Sequence, residues 1–434
     1  MTRRHEPRHP QPTTHAGAAR HGRPGRRDGL RRIVRITALS GVVLLVSAGS
    51  IVGFAAWSLS RDAPPPVAFS AAPPSGQAVH QAPALNAYSG AVTMLVVASD
   101  TRTGQGAGFD DPANLAGSSG VGHNDTNLLI HINQQHTSMV VVDLPRDLVV
   151  PVPACEADDG STHPAESAVM LNEALGYGGV NHGLQCVATA VAQLTGVQID
   201  YAAMLTFDGV VTMTTAVGGV PVCLATPVHD TDVTPPLDLT AGTHVLQGAE
   251  AAAFLRTRYG VGYGGDTARI SNQQVFMSAL ARQLTSGGTL SNPVRLYSLA
   301  AAAEQSIQKS PGLTVSTLTE IAVAIRRVGL DNIVFLQYPS IADPANTARL
   351  LPDPNGVAIL KNALATNQTI RLSPGSLGQS ATLATPSPSA TGAPRVSPSI
   401  APSATHSSAP VAVLPRTSTG QSAAQQTCSA KGNG

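Results

Sequence analysis

Short β-branched apolar runs alternate with helical stretches through the middle of the chain, and this alternation restricts its fold more than any other feature. The runs at 91–99, 126–133 and 138–144 are typical of neighbouring strands, with a hairpin joining the last two. Further strands are predicted at 201–207, 220–224 and 333–338, and helices at 181–195, 248–257, 268–284, 293–306 and 315–328. This order predicts an α/β (α+β) fold, a single domain with a central mixed β-sheet flanked by helices.

Composition limits the folded domain to residues 88–372. Residues 1–35 are rich in Arg, His, Pro and Gly and poor in large apolar residues, so they are expected to form a disordered basic tail. Residues 60–87 are expected to be an extracellular linker, and residues 373–434, dominated by Ser, Pro, Ala and Thr, a low-complexity tail. The formal net charge of +1 argues against a nucleic-acid-binding surface.

Residues 36–59 form a nearly unbroken apolar run of the length that spans a bilayer, with Trp57 near its far end. Arginines cluster on its N-terminal side, so the positive-inside rule predicts a single-pass transmembrane helix in the cell membrane, with a cytoplasmic N-terminus and an extracellular domain. A cleaved signal peptide is the alternative, because Ala48 and Ala55 are small residues of the kind found at cleavage sites. The apolar region of a signal peptide is usually shorter, which favours an uncleaved anchor.

The four cysteines fit an oxidising exterior. Cys155 and Cys186 bracket a polar loop and are predicted to form a disulfide. Cys223 lies in an apolar run and is predicted to be a buried free thiol, while Cys428 falls in the predicted tail. The connectivity therefore stays open, and no Cys/His spacing indicates zinc.

Arginines and aspartates recur at the ends of the apolar runs, although only 12% of the residues are charged. Asp100 directly follows the first predicted strand and Asp125 directly precedes the second. Two carboxylates at one sheet edge can share Mg²⁺ (or Mn²⁺), which prefers oxygen ligands. Arg146 and Asp147 reach the same edge if the hairpin forms. Aspartate at a strand end is also a common turn former, and that alternative stays open.

A second group of charged residues surrounds a glycine-rich bridge. Arg256 and Arg258 close one predicted helix, and Asp266 and Arg269 open the next, with Gln273 one turn after Arg269. Arginines at a helix C-terminus also complement the helix dipole without any binding role. Arginines that converge with carboxylates, however, suit a pyrophosphate and its divalent cation. The two groups together predict phosphoryl-transfer chemistry.

Eight short motifs follow one another in order between Val92 and Leu284. The charged ones are Ser99-Asp100-Thr101-Arg102, Asp125-Thr126, Pro145-Arg146-Asp147, Arg256-Thr257-Arg258 and Asp266 with Arg269 and Gln273. No single motif is specific, but their order resembles the LytR–CpsA–Psr family. The N-terminal anchor and the external domain also resemble the layout of that family.

The resemblance implies a membrane-anchored phosphotransferase that moves a glycopolymer from a polyprenyl-pyrophosphate carrier to peptidoglycan as a phosphodiester. Asp100, Arg146 and Asp266 would be catalytic, and Asp100 with Asp125 would hold Mg²⁺. The pyrophosphate would be bound by Arg102, Arg146, Arg256, Arg258, Arg269 and Gln273. The polyprenyl chain needs an apolar tunnel, for which the helices between 169 and 217 are candidates, although such stripes are more often plain core.

Three positions depart from the family pattern. His123 and Asn272 stand where an arginine is often found, and Met170 stands where a lysine is often found. Because these changes remove cationic contacts, two alternatives stay open: a polyprenyl-pyrophosphate-binding module that has lost transfer, and a plain pyrophosphatase. The sequence identifies neither the glycopolymer nor the acceptor sugar.

Overall fold

The computed structural model describes residues 90–106, 109, 115, 118, 120–286, 289–290, 292–384 and 410–432. Its helices are α1 Ala174–Thr195, α2 Phe207–Ala216, α3 Gly248–Arg256, α4 Asp266–Ser286, α5 Pro293–Ser306, α6 Val315–Val328 and α7 Pro354–Ala365. Its strands are β1 Val92–Ser99, β2 Asn124–Ile132, β3 Met139–Asp143, β4 Val149–Val152, β5 Cys155–Glu156, β6 Thr162–His163, β7 Glu166–Met170, β8 Tyr201–Leu205, β9 Val220–Leu224, β10 Val228–Asp230, β11 Leu237–Leu239, β12 Gly242–Leu246, β13 Ile307–Lys309, β14 Ile333–Gln337, β15 Ser340–Ala342, β16 Leu350–Pro352, β17 Thr369–Leu372, β18 Ala381–Leu383, β19 Val411–Leu414, β20 Gly420–Ser422 and β21 Thr427–Ser429.

The central sheet has seven strands in the order β13-β8-β1-β2-β3-β14-β20. Strand β2 runs antiparallel to both β1 and β3, whereas β8 is parallel to β1 and β14 is parallel to β3. The predicted mixed sheet is therefore confirmed. The predicted hairpin is confirmed as well, because Ile132 pairs with Met139 across the turn between β2 and β3.

Helices cover the two faces of this sheet, and alternate residues of each strand point to opposite faces. On one face, Leu95 of β1 is buried in a cluster with Leu184 of α1 and Leu360 of α7. On the other face, Val141 of β3 is buried in a cluster with Ile321 of α6. Because both faces are covered, every residue of β3 is buried.

Helix α1 consists of two segments because its backbone bends at Gly179, where φ is 71°. The Asp158 carboxylate accepts hydrogen bonds from the backbone N–H groups of Val180 and Asn181, at 2.7 and 2.9 Å, and so caps the second segment. The helix ends at Gly196, which adopts the left-handed conformation. The helix predicted over 181–195 therefore corresponds to the second segment only.

The strands after residue 372 correct the predicted end of the domain. Strand β20 pairs with β14 in the central sheet, and β21 lies between β9 and β18 in a second sheet of order β12-β9-β21-β18. Composition hid these strands because they are short and built from small residues. Gly420 illustrates the point, since a side chain there would collide with the backbone of Phe335. Residues 373–384 and 410–432 belong to the fold.

Two disulfides link distant parts of the described chain. Cys155 pairs with Cys186, as predicted, and joins β5 to α1. Cys223 pairs with Cys428, so the prediction of a buried free thiol at Cys223 is wrong. These two cysteines lie opposite each other in the β9–β21 pair, with Cα atoms 4.5 Å apart. They are 205 residues apart in the sequence, and only the sheet brings them together.

The basic tail, the anchor and the linker predicted at 1–35, 36–59 and 60–87 lie outside the described residues. Among the helices that the structure describes, none combines the length and the apolar character needed to cross a membrane.

Candidate functional site

A cavity of about 600 Å³ lies between the central sheet and helices α2 to α6. Its wall is mainly apolar and includes Met94, Leu128, Ile130, Met213, Phe276 and Met277. Of the helices expected to line a tunnel, only α2 does so. Helix α1 instead buries its apolar residues against the opposite face of the sheet.

The predicted site residues converge at one end of this cavity. Strand ends supply Asp100, Asp125 and Arg146, since β1 and β3 end at the sheet edge where β2 begins. The end of α3 supplies Arg256 and the loop after it Arg258, while the first turns of α4 supply Asp266, Arg269 and Gln273. The cavity is lined by Asp100, Arg102, Asp125, Arg146, Arg256, Arg258, Arg269 and Gln273.

Asp125 is the centre of an ion-pair network. Its carboxylate lies 2.8 Å from Arg146 Nη1, 3.4 Å from Arg258 Nη2 and 3.4 Å from Arg269 Nη1. Arg269 Nη2 also donates to the backbone carbonyl of Asp125, at 2.7 Å. Burial alone would raise the pKa of Asp125, but the charges of Arg269 and Arg146 lower it below the ordinary value. Asp125 therefore stays ionised and holds the three guanidinium groups together.

Asp266 holds the same arginines from the opposite side. Its Oδ1 lies 2.7 Å from Arg269 Nη2, 3.3 Å from Arg146 Nε and 3.8 Å from Arg258 Nε. Arg146 also contacts Asp147, at 3.4 Å. Arg146, Arg258 and Arg269 are thereby fixed at one end of the apolar cavity, with their charges largely offset by the carboxylates that hold them.

Several polar atoms of this network are buried and have no hydrogen-bond partner among the described residues. Four of them are guanidinium nitrogens: Arg146 Nε, Arg256 Nη1, Arg258 Nε and Arg269 Nε. Asp266 Oδ1 and Oδ2 and Gln273 Oε1 also lack a partner with hydrogen-bond geometry, although Asp266 Oδ1 keeps its ion pairs with the three arginines. Arg146 Nε and Arg258 Nε still face Asp266 Oδ1 as ion pairs, whereas Arg256 forms no salt bridge within the described chain. Because an unsatisfied buried N–H group is costly, these guanidinium groups indicate a site built for a ligand with several acceptor oxygens.

Phe207 holds the two remaining arginines and was missed by the sequence analysis. The Cζ atoms of Arg102 and Arg256 lie 4.9 and 4.5 Å from its ring centroid, within the range of a cation–π interaction. Phe109 stacks on the same ring at 5.0 Å, and its carbonyl accepts a hydrogen bond from Arg102. The predicted strand at 201–207 concealed this role, because the strand ends at Leu205 and Phe207 begins α2.

Burial and the neighbouring Arg102 lower the pKa of Arg256 to about 10. At neutral pH its guanidinium group therefore remains charged. Arg102 and Arg256 thus add two positive charges beside the three arginines of the Asp125 network.

Asp100 and Asp125 have the donor chemistry of a magnesium site. The backbone N–H of His123 donates to Asp100 Oδ1 at 2.7 Å, and Asp100 Oδ2 lies 3.7 Å from His123 Nδ1. Burial raises the pKa of Asp100, and the charge of Asp125 raises it further. A cation near both carboxylates would offset this repulsion, and Mg²⁺ commonly uses only one or two carboxylates together with phosphate oxygens.

Gly122 is the residue that lets the chain pass so close to Asp100. Its φ is 70°, and a side chain at this position would collide with the Asp100 carboxylate. Within the described chain, no group of three or more His, Cys, Asp or Glu side chains has the arrangement of a metal site.

The other two positions that depart from the family pattern lie away from the cavity. Asn272 is buried, donates to the carbonyl of Phe254 at 2.9 Å and accepts from Ser429 Oγ at 2.5 Å. It therefore joins α4 to α3 and β21. Met170 ends β7 and is absent from the cavity wall. Of the three departures, only His123 contacts a site residue.

Asp143 is a further acidic residue on the cavity wall that the sequence analysis did not single out. It is the last residue of β3 and is 4% exposed. Burial raises its pKa to about 7. An acidic residue that closes an apolar run just before Pro145 and Arg146 was the available signal.

Comparison with known proteins identifies a family for this chain. The LytR_cpsA_psr family model matches residues 69–363. The probable cell wall biosynthesis protein LcpB of Corynebacterium glutamicum is 32% identical over 232 residues, covering 54% of this chain and 51% of the relative. The cell wall biosynthesis protein LcpA of the same organism is 30% identical over 277 residues, covering 58% of this chain and 51% of the relative.

The chain spans about half the length of the curated relatives it matches. Among solved structures, protein gbs0355 from Streptococcus agalactiae superposes with a TM-score of 0.51 and 17% identity, covering 64% of this chain and 88% of that chain. Because the identity is only 17%, this similarity shows a shared fold and nothing about activity.

Proposed function

Because the chain belongs to the LytR_cpsA_psr family, we propose that it is a phosphotransferase of cell-wall assembly that moves a glycopolymer from a polyprenyl-pyrophosphate carrier to peptidoglycan. The observation that supports this most directly is the placement of buried guanidinium nitrogens without a hydrogen-bond partner at one end of an apolar cavity. A prenyl pyrophosphate matches both parts, because its lipid fits an apolar wall and its phosphoryl oxygens accept hydrogen bonds from arginine.

The arginines supply what phosphoryl transfer needs. Such reactions depend mainly on holding the phosphoryl group in position and on neutralising the charge of its oxygens. Arg146, Arg258 and Arg269 are held by Asp125 and Asp266, and Arg102 and Arg256 by Phe207. These side chains therefore need little rearrangement when the pyrophosphate binds.

Asp100 and Asp125 are the residues that would hold Mg²⁺ (or Mn²⁺). Such an ion would add positive charge beside the phosphate oxygens. Asp266 acts in this proposal by orienting Arg269, Arg146 and Arg258, with which it forms ion pairs.

The proposed location is the outer surface of the cell membrane, with the chain anchored by residues 36–59. The two disulfides of the described chain support an oxidising compartment. Protease added to intact cells should then digest the domain, and disruption of the membrane should not be needed.

The proposal is tested with the full chain in detergent, a prenyl-pyrophosphate-linked glycan as donor and a peptidoglycan fragment as acceptor. R146A and D100A should each reduce release of prenyl phosphate by about two orders of magnitude or more. The matched control is R326A, because Arg326 is an exposed arginine on α6. Unchanged turnover in both site variants would contradict the proposal.

The same assay separates the alternatives. Donor binding with neither transfer nor hydrolysis would identify a binding module, and cleavage that ignores the acceptor would identify a pyrophosphatase. His123 is the one departure beside the site, so H123R should raise the turnover of a weak transferase.

A further inference from the structure

Asp143 places a carboxyl group inside the apolar part of the cavity wall. In the register of the central sheet it lies opposite Leu128 of β2, which in turn lies opposite Val96 of β1. Leu128 and Val96 both line the cavity. The next row towards the charged end of the cavity is Ala98 with Thr126, and the carboxylates of Asp100 and Asp125 lie beyond Ala98 and Thr126 along β1 and β2. Asp143 therefore lies between the lipid-compatible wall and the arginines.

The surroundings of Asp143 differ from those of Asp125 and Asp266. Its side chain accepts no hydrogen bond within the described part of the chain, although it is only 4% exposed. The charged groups that influence it are Arg269 and Asp266, both on α4. Its neighbours in the sheet, Leu128 and Gln337, are uncharged. Arg269 pairs with Asp125 and Asp266, and within the described chain no salt bridge joins Asp143 to an arginine.

An ionised carboxylate at this place would oppose anion binding, whereas a neutral carboxyl group would assist it. Burial raises the pKa of Asp143 to about 7, with Asp266 adding to the effect and Arg269 opposing it. A bound pyrophosphate would bring further negative charge and favour the protonated form. A protonated carboxyl group has an O–H that can donate a hydrogen bond to a phosphoryl oxygen.

We propose that Asp143 is a binding residue whose neutral carboxyl group donates a hydrogen bond to the phosphoryl group nearest the lipid of the donor. This inference rests on the proposed function, because it takes the donor to be a prenyl pyrophosphate. The position between the apolar wall and the arginines selects the phosphoryl group on the lipid side. The proton stays on Asp143 in the complex, and no bond to the substrate is made or broken.

The inference predicts a pH dependence that belongs to one side chain. If only the protonated form binds, the dissociation constant of the wild type should rise about tenfold between pH 6 and pH 8, beyond any change due to the ligand or to other groups. D143N carries a permanent N–H donor of nearly the same shape and should lack this component. D143L has neither donor nor charge, so it should bind weakly across the range.

Titration calorimetry of the full chain in detergent with geranylgeranyl pyrophosphate measures these constants. The expected result is a steeper pH dependence for the wild type than for D143N, with D143N binding more tightly than the wild type at pH 8. If the dissociation constants of the wild type and D143N change equally with pH, the inference is overturned. D143S replaces D143N if that variant does not fold, since its hydroxyl group is also a donor that does not titrate in this range.

Proton uptake provides a second measurement on the wild type itself. Calorimetry at pH 7.5 in two buffers of different ionisation enthalpy should show about 0.8 proton more taken up by the wild type than by D143N or D143S. No difference would also overturn the inference. R146A tests the proposed function separately. If R146A abolishes binding while wild type and D143N share one slope, only the role of Asp143 is wrong.

Discussion

The two faces of the central sheet are built from the same strands but are used differently. On β2, Leu129 is fully buried against α1, while its neighbour Leu128 points to the cavity. On β1, Leu95 belongs to the filled face and Val96 to the cavity. One residue along a strand therefore separates a core contact from a binding surface, because successive side chains point to opposite faces.

This difference shows how the fold combines a rigid support with an open site. Helices α1 and α7 fill one face, so the strands have a fixed position there. On the other face, α2 to α6 leave a cavity, and the charged residues collect where the strands end beside it. A site is most exact when its side chains stand on elements that are packed elsewhere.

The largest effect is expected at the charged end of the cavity face. R269K should lower turnover by about 100- to 1,000-fold, because lysine cannot bridge Asp125 and Asp266 with a planar group as Arg269 does. R282K is the control on the same helix, where Arg282 donates to the backbone carbonyls of Ala423 and Gln425. Similar losses in both variants would show that α4 responds as a whole.

Adjacent leucines test the comparison of the faces directly. L129A should destabilise the fold by about 2–5 kcal/mol, since it opens a hole in a filled core. L128A should cost less stability, because Leu128 already borders a cavity, and should weaken prenyl-pyrophosphate binding instead. Chemical denaturation and calorimetry measure the two quantities. Equal stability losses would mean that the faces are not distinct.

A charge on the cavity face should make stability depend on pH. The pKa of Asp143 is raised from 3.8 to about 7, so between these values the folded chain holds a proton that the unfolded chain has released. Stability should therefore fall as the pH rises through this window. D143N should be more stable than the wild type by about 4 kcal/mol at pH 8 and nearly equal to it at pH 4. A constant difference would contradict this assignment.

The smallest effect is expected at the aromatic ring beneath two arginines. F207L keeps an apolar side chain but removes the cation–π contacts to Arg102 and Arg256. Losing about 0.5–2 kcal/mol of substrate-binding free energy corresponds to a rise in KM of about 2- to 30-fold, with little change in kcat. F207Y keeps the ring face and serves as the control. If F207L and F207Y behave alike, the ring has only a packing role.

Much of the local structure could be predicted because it follows from periodic patterns. Helices α5 and α6 begin and end where the pattern places them, and β9 does as well. The predicted Arg and Asp residues converge because consecutive strand ends share one sheet edge. The order of the motifs along the sequence was therefore enough to predict most of the residues that line the charged end of the cavity.

The predictions from the sequence were wrong where a segment contacts a partner that is far away along the chain. Strand β20 contains little apolar surface and is held by pairing with β14. Cys223 resembled a core thiol until β21 was placed beside β9. Asn272 looked like a lost cation, but in the structure it joins α4 to α3 and β21. None of these contacts produces a recognisable pattern in the neighbouring sequence.

By itself, the sequence determined the succession of strands and helices, the first disulfide and the set of charged residues at the strand ends. These features depend on side-chain period and on neighbours along the chain. Only the tertiary structure decided which helices border the cavity, how the C-terminal strands complete the sheets, and which carboxylates are paired with arginine. Asp125 and Asp143 are both acidic residues next to β-branched runs. Three arginines from three separate elements surround the first, whereas the second is buried without one.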